Sequence, residues 1–119
     1  MKPSDRLPVM TFNSGAELRV WLMANHARSD GIWIRIAKSA SKHESITFHE
    51  ILDEGLCFGW SESKRSAGDV DFYQQRFTPR RRRGTTSKRN LQRAADLIAQ
   101  GRMLPSGLKA LALQEGADA

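Results

Sequence analysis

Between Arg76 and Arg93 the chain places eight basic residues (Arg76, Arg80, Arg81, Arg82, Arg83, Lys88, Arg89 and Arg93) and no Asp or Glu. Arginine presents a planar fork of N–H donors that matches the oxygens of a carboxylate or phosphate. Four in succession, ahead of a predicted helix, bring that charge to a helix N-terminus, where free backbone N–H groups already favour an anion. Ser87, Lys88 and Asn90 in the first turn add a hydroxyl, an ammonium and an amide. Cations there oppose the helix dipole at about 0.3–1 kcal/mol each when exposed, a cost that a bound anion relieves. Upstream, Trp60 and Glu62 lie two apart on a predicted strand and share a face. The expected site is therefore one groove walled by Trp60 and lined by Glu62, Arg80, Arg81, Ser87, Lys88 and Asn90, which receives an anionic small molecule or an acidic protein surface.

The chain as a whole has 19 basic and 13 acidic residues, for a formal net charge of +6. Outside the segment eleven basic residues face thirteen acidic ones, a net of −2. The basicity thus belongs to one stretch, and its positive field draws an anionic partner there. A blander explanation pairs these arginines with Asp53, Glu54, Glu62, Asp69 and Asp71 on a solvated surface. A second function sets Arg80, Arg81, Arg82, Arg83, Lys88, Arg89 and Arg93 against nucleic-acid phosphates, although no zinc-knuckle or RNA-recognition signature accompanies them. A third is a small enzyme with Glu62 or His26 moving a proton. Glycine spacing gives no phosphate loop or dinucleotide fingerprint, so no catalytic residue is assigned. Cys57, at the end of an apolar helix, reads as a buried structural thiol. His26, His43 and His49 have no metal-ligand spacing with it or with one another, so no metal or cofactor is expected.

These residues need elements to hold them. Ser14 and Glu17 have capping-box spacing ahead of Leu18, Trp21 and Leu22, predicting a helix over 14–26 after a short extended piece at Val9–Phe12. Ile32, Ile34 and Ile36 alternate with Trp33 and Arg35 in a strand over 31–37. Thr47 and Glu50 repeat the capping box for a helix over 47–57 with Phe48, Ile51, Leu52 and Leu56 on its apolar stripe. A strand over 57–63, a turn at Ser66–Asp69 and a returning strand over 70–78 make a hairpin that Pro79 ends. Thr86 or Ser87 caps a third helix with Leu91, Ala94, Ala95 and Ile98 on its buried face, and Gly101 closes it. Pro105 opens a fourth helix carrying Leu108, Leu111 and Ala112. The order β-α-β-α-β-β-α-α implies an α+β fold: a small, mostly antiparallel sheet with about four helices packed on it.

A length of 119 residues suits one domain, with an ordered core expected over about 9–114. No apolar run approaches a membrane span, no hydrophobic stretch follows Met1, and one cysteine permits no internal disulfide. These features point to the cytoplasm, as a monomer or homodimer.

Several blocks together resemble a known family. They are Phe12 with Trp21-Leu22 and Asn25-His26; Gly31-Ile32-Trp33 and Lys38; Leu56-Cys57-Phe58-Gly59-Trp60; Phe77-Thr78-Pro79-Arg80-Arg81; Ser87-Lys88-Arg89-Asn90; and Gly101-Arg102-Met103 with Gly107. In this order, from about Phe12 to Leu113, they look like the bacterial YdeI/OmpD-associated (OmdA-like) proteins. The resemblance implies the fold and compartment above and a stress- or bacteriocin-protection role, without naming a reaction. Where those proteins usually continue Gly-Trp with Ile-Asp, this chain has Ser61-Glu62. Where they usually carry Trp before the Ser-Lys-x-Asn block, it has Thr86, which implies a more open pocket.

Overall fold

The computed structural model describes residues 7–80 and 87–112. Its order is β1 (Val9–Thr11), α1 (Gly15–Asn25), β2 (Ile32–Ala37), α2 (Phe48–Phe58), β3 (Trp60–Ser66), β4 (Phe72–Pro79), α3 (Lys88–Ala99) and α4 (Pro105–Ala110). This is the expected α+β order. The four strands run β1-β2-β4-β3 across one sheet. β2 pairs antiparallel with β4, and β4 with β3, while β1 lies parallel to β2. The sheet is therefore mixed. α1 returns the chain from β1 to its neighbour β2 in the same direction, and such a crossover imposes parallel pairing.

Strand alternation decides which face is covered. Ile32, Ile34 and Ile36 are 0, 0 and 4% exposed, and the register sets them beside Phe77, Gln75 and Tyr73 of β4. Trp33 and Arg35 take the opposite, partly open face. α2 lies across the covered face, close to β3 and β4. A Cβ on Gly55 would stand 2.9 Å from Phe77 Cε1 and 2.9 Å from Trp60 O.

Local chemistry sets the helix starts. Thr47 Oγ1 accepts from Glu50 N at 3.1 Å, and Glu50 Oε1 accepts from Thr47 N at 3.0 Å, a complete capping box. Its second oxygen accepts from Gly15 N at 2.8 Å and so ties the start of α1 to α2. At α1 only half the box forms as expected. Ser14 Oγ accepts from Glu17 N, but the Glu17 carboxylate accepts from Asn13 N.

Three expectations are corrected. Cys57 and Phe58 complete α2 instead of beginning β3, because the chain turns only at Gly59, in the left-handed region at φ 83°. Pro79 does not break the hairpin; it pairs with Trp60. The adjoining ladder bond runs from Arg80 N to Gly59 O at 2.9 Å, so the missing proline N–H forfeits nothing there. In α3 the buried residues are Ala94 and Leu97, whereas Leu91 and Ile98 are 37% and 44% exposed and Ala95 is exposed. The paired charges of Arg93 and Asp53 turn the Asn90–Arg93–Leu97 side of α3 toward α2. Among the described residues, no helix is long and apolar enough to cross a membrane.

Candidate functional site

Arg80 follows directly on the Trp60–Pro79 end of the hairpin, and its surroundings are assembled by glycine. A Cβ on Gly107 would lie 2.3 Å from Cys57 O, and one on Gly59 would lie 2.6 Å from Ser106 O. Only without those carbons does α4 settle on the last turn of α2, bringing Ser106 and Lys109 to the same hollow as Arg80. His26, just beyond α1, completes the basic lining. Its Nδ1–H donates to Leu22 O at 2.8 Å, which leaves Nε2 available, and its ring meets Phe58 edge-on at 5.1 Å.

The resulting cavity is about 350 Å³, with Gly59, Trp60, Pro79, Phe58, Ala27 and Ala110 as its other walls. Its ionisable lining is Arg80, His26 and Lys109, and among the described residues no carboxylate lines it. Arg80 Nε and Ser106 Oγ are both shut off from solvent, and neither has a hydrogen-bond partner among the described residues. Burial pulls the Arg80 guanidinium below its ordinary range, and the nearby Glu62 carboxylate opposes that pull. A buried donor without an acceptor costs on the order of 1–3 kcal/mol, more when charged, so an acceptor brought by a ligand is strongly favoured here.

Glu62 lines a different cavity, of about 530 Å³, between α2, β3 and the first turn of α3. Ser87, Arg89, Asn90 and Arg93 face it from α3, and Phe48, His49, Leu52 and Asp53 from α2. Arg93 Nε and Nη2 bind the two oxygens of Asp53 at 2.8 and 2.7 Å, with Asp96 3.9 Å from Nη1. The bond to Asp53 is the main cause that raises the Arg93 guanidinium. Arg93 is thus already matched by an internal acid. Glu62 Oε2 is not: it is out of solvent, with no hydrogen-bond partner among the described residues.

The single expected groove is therefore two neighbouring hollows. Trp60 and Arg80 share the first; Glu62, Ser87 and Asn90 share the second; Lys88 lines neither. Arg81, Arg82 and Arg83 lie outside the described residues. Trp60 is 2% exposed and packs edge-on against Trp21 at 5.8 Å, so it belongs more to the core than to a ligand wall. Sequence reasoning missed Ser106 and Lys109, whose only local hint is the glycine between them, and it considered His26 for proton transfer. Cys57 is buried, and burial followed by Glu54 pushes its thiol up, away from nucleophilic use. Among the described residues no three His, Cys, Asp or Glu side chains are grouped to hold a metal ion.

Residues 10–110 match the model of a family described as a domain of unknown function, DUF8412. The chain belongs to the DUF8412 family. No curated protein and no solved structure matches it. The span shared with DUF8412 contains every residue of both cavities, from His26 to Ala110.

Proposed function

We propose that this DUF8412 domain is a binding module for a small anion, a phosphate or a carboxylate, held in the cavity at Arg80. The observation that carries this reading is the pair of buried donors without a partner among the described residues, Arg80 Nε and Ser106 Oγ, in a hollow whose described ionisable lining is all basic. Arg80 supplies the fork, Ser106 a directional hydroxyl and Lys109 a further donor, with the His26 ring as one wall. An anion there relieves an existing desolvation cost and does not have to displace an internal acid. The resemblance to the YdeI/OmdA-like proteins supports a cytoplasmic setting and a protective role in stress for such binding.

The nucleic-acid reading keeps Arg89 and Lys88 but is weakened by the Asp53 partner of Arg93. Salt separates the two. Phosphate should raise the melting temperature of the wild-type chain, and Arg80→Ala and Lys109→Ala should each remove most of that shift. If phosphate and acetate produce no shift, or if Arg80→Ala leaves it intact, the anion site is wrong. Oligonucleotide binding that falls steeply with salt would favour the nucleic-acid reading instead.

A further inference from the structure

We propose that the second cavity, between α2, β3 and the first turn of α3, is a separate site for a small zwitterion with an apolar body, the chemistry of a free aliphatic α-amino acid. The inference goes beyond the anion site and uses different walls. On the β3 side stands Glu62, whose Oε2 is excluded from solvent without a hydrogen-bond partner among the described residues. Arg80 attracts that carboxylate but makes no hydrogen bond to it. A carboxylate oxygen in this condition takes an N–H donor, and an ammonium is the strongest on offer.

The α3 side of the same cavity carries the opposite chemistry. Arg89 and Asn90 line it, and neither side chain makes a hydrogen bond to a described residue. No acid occupies the first turn of α3, while Lys88 and Arg89 both stand there against the helix dipole. Ser87 Oγ accepts from Asn90 N at 3.2 Å, which leaves its own hydrogen to donate. A ligand carboxylate would meet a guanidinium, an amide and a hydroxyl.

Charge matching selects the ligand class. Asp53 and Arg93 cancel each other through their two-point contact at 2.8 and 2.7 Å. What remains in the cavity without a hydrogen-bonded partner among the described residues, beside the His49 imidazole, is one carboxylate, Glu62, and one guanidinium, Arg89. A simple anion or a simple cation would satisfy one and leave the other. A zwitterion satisfies both, and Phe48 and Leu52 give its side chain an apolar floor. The volume of about 530 Å³ falls within the roughly 300–1,000 Å³ of small-molecule sites.

The test is calorimetric titration of the full chain with L-leucine, N-acetyl-L-leucine and L-leucinamide. Leucine should bind saturably. Blocking its ammonium or its carboxylate should each weaken binding by about tenfold or more, the usual worth of one charged hydrogen bond. Glu62→Gln should erase the preference for leucine over the acetylated compound, and Arg89→Gln the preference over the amide. Neither residue is in the core, and unchanged thermal unfolding of each variant guards against misfolding. Equal affinity for the three compounds, no saturable heat with leucine at millimolar concentration, or preferences that survive both substitutions would overturn the proposal. Phosphate binding that depends on Arg80 tests the first site independently, so either reading can fail alone.

Discussion

The Glu62 carboxylate opposes the pull of burial on the Arg80 guanidinium, yet Glu62 Oε2 and Arg80 Nε each lack a hydrogen-bond partner among the described residues. The two residues line different cavities, and the field of one reaches into the other. An interior charge pair that attracts without a hydrogen bond between its members leaves bonding capacity unfilled on both.

Glu62→Gln should therefore act in opposite directions at the two cavities. At the Arg80 site it removes a negative charge that repels an incoming anion. Phosphate affinity should rise about three- to tenfold at low salt, on the order of 1 kcal/mol at an effective dielectric near 20, and the gain should shrink as salt is added. Calorimetric titration at two ionic strengths measures it. An unchanged phosphate affinity would mean that the carboxylate does not act on Arg80.

Gly107→Ala tests how the anion site is assembled. The new carbon would meet main-chain atoms, at 2.3 Å from Cys57 O and 2.5 Å from Leu56 O, so α4 must back away from α2. Overpacking of this kind costs about 2–3 kcal/mol, and Ser106 and Lys109 should move with the helix. Gly101→Ala makes the contrast, since nothing lies within 4 Å of its added carbon and only the left-handed φ of 71° is strained. That variant should lose about 1–2 kcal/mol and keep its phosphate response. Urea unfolding and a phosphate thermal shift on both variants decide the matter.

How much of this was written in the sequence depends on how far apart the partners lie. Thr47 and Glu50 are three residues apart, so their capping box was legible; the reach of the same Glu50 to Gly15, thirty-five residues away, was not. Alternation correctly put Trp60 and Glu62 on one face of β3. Residues two apart on a strand are separated by roughly 6.6 Å, however, enough for one to sink beneath Trp21 and the other to face α3. In α3 two stripes competed, Leu91–Ala95–Ile98 and Asn90–Ala94–Leu97, and the second won through the contact between Arg93 and Asp53, a pair forty residues apart. Ser106 and Lys109 reach Arg80 only because two glycines let α4 sit on α2. No periodicity encodes that approach.

Glu54 offers a measurement of a buried charge held from two sides. Its side chain is 4% exposed, with Oε1 2.9 Å from Arg19 Nη1 and Oε2 2.8 Å from Arg102 Nη2. Arg19 also donates to Arg102 O at 2.8 Å, which fastens α1 to the segment between α3 and α4. Arg19→Ala or Arg102→Ala alone should cost about 1–2 kcal/mol, because one guanidinium still serves the carboxylate. Together they should cost more than the sum, about 3–5 kcal/mol, by leaving a buried charge unpaired. Adding Glu54→Gln to the double variant should recover part of the loss. Additive costs with no recovery would show that the carboxylate gains its stability elsewhere.

Acid should loosen the molecule partly through Glu50. The N–H of Gly15, then that of Thr47, donates to its carboxylate and holds it below the usual carboxylate range, with burial pulling weakly the other way. A carboxyl whose folded pKa lies below its unfolded one adds stability above the unfolded value, and that stability drains away as pH falls through the folded value. The drop should fall between about pH 5 and pH 3. Glu50→Gln cannot lose what it never had: it should be less stable by about 1 kcal/mol at neutral pH, with a shallower decline in acid, so that the two curves converge near the bottom of that window. Some slope should survive in the variant, because Asp69 is likewise held low, by the N–H groups of Phe72 and Asp71. Urea midpoints measured at intervals across the window provide the comparison. Curves that stay parallel throughout would mean that Glu50 does not bridge α1 and α2 in solution.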